Sequence, residues 1–348
     1  MKGERNMSSN RKSVTRRDFL IGAAAIAATM GSVGPFSSRS SSAAASKAQT
    51  RLRLGTFTHN EYINTTVARR FASIANEKSN GGILVEVYPA AQLVGEKDLA
   101  EGVRLGTIDI CMNSGVLGQW VPKWGITDLP FLYADYEHAV KAIQGPILET
   151  LHPLINAAGF RILGIGSNFP RLTYARKPIR SLADFKGLKI RVPEVPIFVE
   201  TFKALGATPT PIPAPEIYSA LQTAIVDAQE GAPDWVYSLR SYEVVKFLIM
   251  TAHIMNGEMM LMSEMRWKKL PAEVQKVLKE SGDEAYKWYV AERKAQGEDG
   301  INKLVAGGMT PIKDIDRKEM ARAVEPLHEK FGREQGITDL IKKVKAMN

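Results

Sequence analysis

The sequence predicts an α/β protein made of two units, each a mixed, mostly parallel sheet flanked by helices, with one long helix lying across both. Three observations carry this. Apolar runs with strand-like alternation are interleaved with stretches of helical spacing. The alternation restarts after Arg171, and 348 residues, at about 150 per domain, leave room for two cores. With 45% hydrophobic and 24% charged residues the chain has the make-up of an ordinary globular protein, which excludes collagen-like, low-complexity and disordered classes. Its single cysteine, Cys111, cannot form an intramolecular disulfide, so burial has to hold the fold.

Residues 1–45 come first and stand apart. They hold seven basic residues (Lys2, Arg5, Arg11, Lys12, Arg16, Arg17 and Arg39) against Glu4 and Asp18, a local surplus of +5 out of the total of +9. The remaining +4 makes no case for a polyanionic partner, so nucleic acid is not expected as one. A basic segment, an uncharged run from Leu20 to Gly34 and a small-residue tail ending at Ala43-Ala44-Ala45 follow the layout of an export signal. The apolar run is too short and too rich in Ala and Gly to span a hydrocarbon core about 30 Å thick. Thr15-Arg16-Arg17-Asp18-Phe19-Leu20 resembles the twin-arginine pattern Ser/Thr-Arg-Arg-x-Phe-Leu. Cleavage is expected near Ala45, with Ala48 as an alternative, and a disordered basic tail is the competing reading of the segment. Export would place the mature chain in the periplasm, without ATP or reduced nicotinamide at hand.

In the mature chain, Leu52, Leu54 and Phe57 begin a strand, Val67, Phe71, Ile74 and Ala75 follow at helical spacing, and Gly81-Gly82 stops that helix. Ile83–Tyr88 alternates as a strand and ends at Pro89. A helix near 96–105, a strand at 108–112, helices after Asp135 and Pro146 and a strand at 160–166 complete the first unit. The second opens with a strand around 172–175 and a short capped helix at Ser181–Asp184. A strand at 188–192 follows, then a helix from Pro196 to Gly206, which has Pro in its first turn and Gly just past its end. Pro215 opens another helix, and Ile225–Ala228 and Phe247–Thr251 read as strands. From Pro271 the chain is helical with few breakers until Gly297, too long for a single lobe.

No catalytic or cofactor motif is found. The five histidines lack metal-ligand spacing. Cys111 sits inside an apolar strand and reads as an inert buried thiol. Gly164-Ile165-Gly166 has Phe169 where a dinucleotide fingerprint needs its third glycine. No cofactor and no metal are expected. What remains is polar residues at strand ends, where open α/β sheets bind ligands. In Leu188-Lys189-Ile190-Arg191-Val192-Pro193 the apolar residues share one face and Arg191 points the other way, next to the Pro that ends the strand. A guanidinium there can grip a carboxylate bidentately. An ion pair within the protein explains it equally well on periodicity alone.

Several segments resemble one family. Lys189-Ile190-Arg191-Val192-Pro193, Lys203-Ala204-Leu205-Gly206-Ala207-Thr208-Pro209-Thr210-Pro211-Ile212-Pro213, Glu216-x-Tyr218-x-Ala220-Leu221-Gln222-Thr223 and Val226-Asp227-Ala228-Gln229-Glu230 look like the extracytoplasmic solute receptors, DctP type, of tripartite ATP-independent periplasmic (TRAP) transporters. Asp128-Leu129-Pro130-Phe131-Leu132-Tyr133 with His138, and Tyr88-Pro89-Ala90-Ala91-Gln92-Leu93 with Gly95-Glu96, match further signatures. The likeness covers nearly all of residues 51–330.

The resemblance implies a two-lobed periplasmic binding protein fold (class II-like) with hinge strands, a non-enzyme that closes over a small organic acid and delivers it to the TRAP membrane permease subunits. Lobe I is then expected from 49–168 plus about 257–296, and lobe II from 169–256 plus about 297–348, the whole acting as a monomer. Family likeness makes Arg191 the carboxylate grip and Arg171, which precedes Leu172-Thr173 and Pro178-Ile179, a second cation. Many members read Asp-Gly-Gln-Glu-Asn where this chain has Asp227-Ala228-Gln229-Glu230-Gly231, so Gln229, Asp234 or Trp235 is expected to compensate for the missing Asn. In the other lobe His59, Asn60, Glu61, Asn113 and Ser114 sit where ligand hydroxyls could be met; structural capping is the alternative for them. A ligand-sensing receptor on the same fold, or a periplasmic enzyme using Glu230 with Asp234, are the rival functions.

Overall fold

The computed structural model describes residues 49–347, so the expected export signal lies outside the described residues. Strand β1 (Thr50–Gly55) turns Leu52 and Leu54 into the core, and α1 (Ile63–Lys78) covers them with Val67, Phe71 and Ile74. β2 (Ile83–Tyr88) lies parallel to β1; after α2 (Glu96–Arg104), β3 (Ile110–Asn113) pairs parallel on its other side. Helix α3 (Tyr136–Ala142) is capped by Asp135, whose carboxylate accepts from the His138 N–H at 2.8 Å, and α4 (Leu148–Ala157) leads to β4 (Phe160–Ser167).

The chain then crosses to a second sheet with β5 (Arg171–Ala175), β6 (Lys189–Val192), α5 (Pro196–Ala204), β7 (Thr208–Pro211), α6 (Ile217–Gln222), β8 (Ala228–Gly231), α7 (Pro233–Ser238) and β9 (Phe247–Ile254). It returns through β10 (Gly257–Ser263), followed by α8 (Glu264–Trp267), α9 (Ala272–Ala306), β11 (Thr310–Ile312), α10 (Arg317–Gln335) and α11 (Thr338–Lys345). The strand orders are β2-β1-β3-β10-β4 and β11-β9-β5-β8-β6-β7. Pairing is parallel where strand-helix-strand units build the sheets and antiparallel along β10 and β5, the strands that follow a crossing. The result is the expected two-lobed α/β architecture. The crossings at 168–170 and 255–256 are tied by the Asn168 N–H, which donates to the Asn256 carbonyl at 2.8 Å.

Helix α9 runs for 35 residues, roughly 52 Å at 1.5 Å per residue, and touches α1 and β4 of one lobe and α7 of the other. It continues through Gly297 instead of stopping there because its glycines admit backbone and rings. A Cβ at Gly282 would stand 2.1 Å from the Leu163 carbonyl oxygen, and one at Gly297 2.1 Å from the Phe169 ring. The glycines of Gly164-Ile165-Gly166 serve the same contact from β4: a Cβ at Gly164 would strike the Tyr286 ring at 2.1 Å.

Short or C-terminal elements such as β7, β11, α10 and α11 are additions to the sequence reading, and two differences bear on the cavity. The strand expected at Ile225–Ala228 is displaced to Ala228–Gly231, because Ala224 turns left-handed (φ 57°) and leaves Ile225 exposed. A central strand can bury Glu230 because Arg171 donates to both of its oxygens. β10 was not foreseen, its Met-rich run showing no alternation because both faces are buried. No helix among the described residues is long and apolar enough to cross a membrane.

Candidate functional site

The loops that follow β1, β3, β6, β7 and β8 converge on a cavity of about 390 Å³ between the lobes, at the carboxyl ends of the parallel strands. The first lobe contributes Tyr62, Glu96, Ser114 and Glu258; the second contributes Arg171, Arg191, Phe198 and Trp235.

Arg191 is 3% exposed. Its Nε donates to the Ile212 carbonyl at 2.8 Å, and its guanidinium carbon lies 5.6 Å from the centre of the Trp235 ring. No carboxylate pairs with it among the described residues. Burial pushes the group down to about 10, with Glu230 pulling the other way and Arg171 adding to the depression. This is a buried cation on a cavity wall with its charge unspent.

Arg171 is different. Its Nε and Nη2 donate to the two Glu230 oxygens at 2.6 Å each, a bidentate pair, and it lies over the Phe198 ring at 5.0 Å. His253 Nε2 is 3.3 Å from Glu230 Oε2, and its Nδ1 is 2.8 Å from the Thr251 hydroxyl. Burial works to raise the Glu230 carboxyl, but Arg171 and then His253 outweigh it and hold the group at about 2. Arg171 therefore shapes the cavity as one half of a neutral pair, while Arg191 is buried with no ion-pair partner among the described residues; Lys97, also on the wall, is exposed.

Opposite them stand carboxyls without cations. Glu96 accepts from the Ser114 N–H at 3.1 Å, and burial raises it to about 7 against that bond and the two arginines. Glu258 accepts from Asn168 Nδ2 at 3.1 Å, its other oxygen is buried without a hydrogen bond, and burial followed by nearby Glu96 raises it well above the usual range. Asp128, in the Asp-Leu-Pro-Phe segment, has both oxygens buried and unbonded and is pushed up to about 8 by burial. That segment also fastens the lobes: the Phe131 N–H donates to the His253 carbonyl at 2.7 Å, and His328 Nε2 reaches the Pro130 carbonyl at 2.7 Å.

Of the residues singled out in the sequence, Arg191, Arg171, Ser114 and Trp235 line this cavity and six do not. Ser114 is already engaged, its hydroxyl bonded to the Gly257 carbonyl and to the Asn256 amide. Asp234 turns away to α9, where its carboxylate takes Arg293 Nη1 at 2.9 Å and Nη2 at 3.0 Å. Asn60 accepts from Arg69 and, like Glu61, is exposed on the turn before α1; His59 faces a second, adjoining cavity. Asn113 and Gln229 are fully buried beneath the site with their amides unbonded. A Cβ at Gly231 would lie 2.6 Å from the Trp235 ring, so the indole fills the space a side chain at 231 would need. Glu230 and Asp234 are each locked to an arginine, which removes them as a free acid/base pair.

The sequence reading passed over Tyr62, Glu96, Asn168 and Glu258. Glu96 lies in the family-like pair Gly95-Glu96 and Tyr62 follows His59, Asn60 and Glu61; Asn168 and Glu258 lie at the crossings, which local pattern does not reveal. Tyr62 and Tyr289 both donate to Asn168 Oδ1, at 3.3 and 3.1 Å, and Arg293 reaches the Tyr62 hydroxyl at 3.4 Å, so these side chains join the crossing to both lobes.

The fold has close counterparts. The 2,3-diketo-L-gulonate-binding periplasmic protein YiaO of Escherichia coli (strain K12) is 32% identical over 78% of this chain and 84% of its own length. A TRAP periplasmic solute binding protein from Polaromonas sp. JS666, bound to D-erythronate, superposes with a TM-score of 0.82 at 30% identity, covering 86% of this chain and 99% of its own. One from Xanthobacter autotrophicus PY2, with bound β-D-galacturonate, gives 0.82 at 28% identity over 85% of this chain and all of its own. The profile of the DctP family, described as bacterial extracellular solute-binding protein, family 7, matches residues 54–335. The chain therefore belongs to the DctP family, the substrate-binding receptors of TRAP-type transporters.

Proposed function

We propose that this receptor captures a sugar acid, a small carboxylate bearing several hydroxyls, in the interlobe cavity and hands it to a TRAP membrane permease. The observation that carries the reading is Arg191, a buried guanidinium stacked on Trp235 with no carboxylate of its own. A ligand carboxylate would supply the missing charge. Glu96 and Glu258 across the cavity are hydroxyl acceptors or, when protonated, donors. Arg171 is already neutralised by Glu230 and Lys97 on the cavity wall is exposed, so the cavity offers one buried free cation, which favours a single carboxylate with hydroxyls over a dicarboxylate. The relatives bound to galacturonate and erythronate point the same way. Closure follows from contacts to both lobes that only the closed state offers, with 168–170 and 255–256 as the flexing segments.

The same proposal puts the receptor in the periplasm, exported through Arg16-Arg17 as a twin-arginine signal; replacing both by Lys should leave the precursor in the cytoplasm on fractionation, and unaltered export would reject that route. The functional reading is tested by a thermal-shift screen of the mature chain against aldonates, uronates and C4-dicarboxylates, followed by mass spectrometry of the recovered ligand. A sugar acid at 100 times its Kd adds about 2.7 kcal/mol of stability. Stabilisation by dicarboxylates alone, or recovery of an altered ligand, would refute it.

A further inference from the structure

A second cavity of about 530 Å³ adjoins the first and shares Phe57, Ala214, Pro215 and Trp235 with it. The two spaces are thus neighbours across one aromatic and prolyl wall, and both lobes close around the outer one as they do around the inner. On the first lobe its wall is His59 and the turn Ala90-Ala91. Both alanines are left-handed (φ 52° and 56°), and their N–H groups donate to the Thr58 and Thr56 carbonyls at 2.8 and 3.1 Å, which holds this unfavourable turn against the end of β1.

On the second lobe the wall carries one organised polar group. Glu243 accepts from the Tyr218 hydroxyl at 2.8 Å and from Arg240 Nε at 2.7 Å. Tyr218 first and Arg240 second hold its carboxyl below the ordinary range, so it stays ionised. A fixed carboxylate accepts hydroxyl hydrogens and repels a second acid, and Arg240 is cancelled by its partner. An aromatic wall with hydroxyl acceptors and no spare cation suits a neutral sugar.

We propose that the outer cavity is a second subsite for the same ligand, taking the neutral sugar unit of a glycosylated sugar acid whose carboxylate lies at Arg191. The inference rests on the sugar-acid reading of the inner cavity. It places the ligand end remote from the carboxylate past Trp235 and between His59 and Glu243.

Calorimetric titration of the mature chain with two matched pairs tests it: D-gluconate against lactobionate, and D-glucuronate against glucuronosyl-xylose. At least one disaccharide acid should bind tenfold or more tightly than its single-unit acid. Ser238→Trp, which fills the outer cavity, should abolish that gain and leave the single-unit acid within twofold; Glu243→Ala should reduce the gain should Ser238→Trp fail to fold. Equal or weaker binding of both disaccharide acids, with single-unit acids bound and lost in Arg191→Ala, would overturn this inference and leave the sugar-acid reading standing. The outer space would then be only the mouth of the cleft. Failure of every acid to bind would overturn both.

Discussion

Replacing Arg191 by Met should weaken ligand binding and leave the ligand-free fold as stable as before or more so. Burial lowers the guanidinium from its ordinary 12.5 to about 10, and 2.5 pH units correspond to about 3 kcal/mol spent on keeping the charge in place. Against that stand the bond to the Ile212 carbonyl, worth about 1 kcal/mol, and the contact with Trp235, worth about 1 kcal/mol. Met restores most of the volume without the charge, so the balance is near zero or slightly favourable. With ligand present the sign reverses: losing one partner of a buried charge-assisted pair costs about 2–5 kcal/mol, or roughly 30-fold to several thousand-fold in Kd. Urea unfolding of the ligand-free proteins and calorimetry with a sugar acid read the two effects separately. A variant that binds within twofold of the parent yet loses several kcal/mol of stability would show that Arg191 serves the fold and refute the reasoning.

Other substitutions test the supporting structure. Asp234→Ala leaves the fully buried Arg293 without its carboxylate and should cost about 3–5 kcal/mol in urea unfolding; a loss under 1 kcal/mol would mean that the pair does not join the lobe to α9. Glu96 holds a proton in the folded state up to about pH 7 that the unfolded chain releases near 4.5. Its raised carboxyl therefore makes ligand-free stability fall as pH rises from about 4.5 to 7, by up to roughly 1.4 kcal/mol per pH unit, and Glu96→Gln should flatten that slope. An unchanged slope in the variant would place the proton elsewhere. Gly231→Asn drives a side chain into the Trp235 ring and should cost about 1–3 kcal/mol, an effect that Trp235→Ala in the same chain should largely remove.

How far the sequence could be read depends on whether a residue's partner is local. Arg191 was legible because Ile190 and Val192 fix the strand's inward face and leave the arginine one direction to take. Trp235 and Arg171 entered through the family likeness, but nothing nearby announced that Glu230 would neutralise Arg171 from the adjacent strand, at Thr173↔Glu230 in the register. Asp234 was misjudged for the same reason: Arg293 is 59 residues away on a helix whose path depends on glycines that sequence rules read as breakers. Polar strands hide as well. β8 is Ala-Gln-Glu-Gly and fully buried, so the apolar pair Ile225-Val226 drew the strand three residues early. Glu258 sits where the chain returns from one sheet to the other, an antiparallel insertion that only the assembled topology discloses.

Recognition of the ligand through a carboxylate at the interlobe cavity would separate an acid from its neutral counterpart. Calorimetric titration of the mature chain with D-galacturonate and with D-galactose, which differ at the carboxylate carbon, tests it most directly. Saturable one-to-one binding of the acid is expected, and none of the neutral sugar at the same concentrations. Comparable binding of both, or of galactose alone, would contradict it.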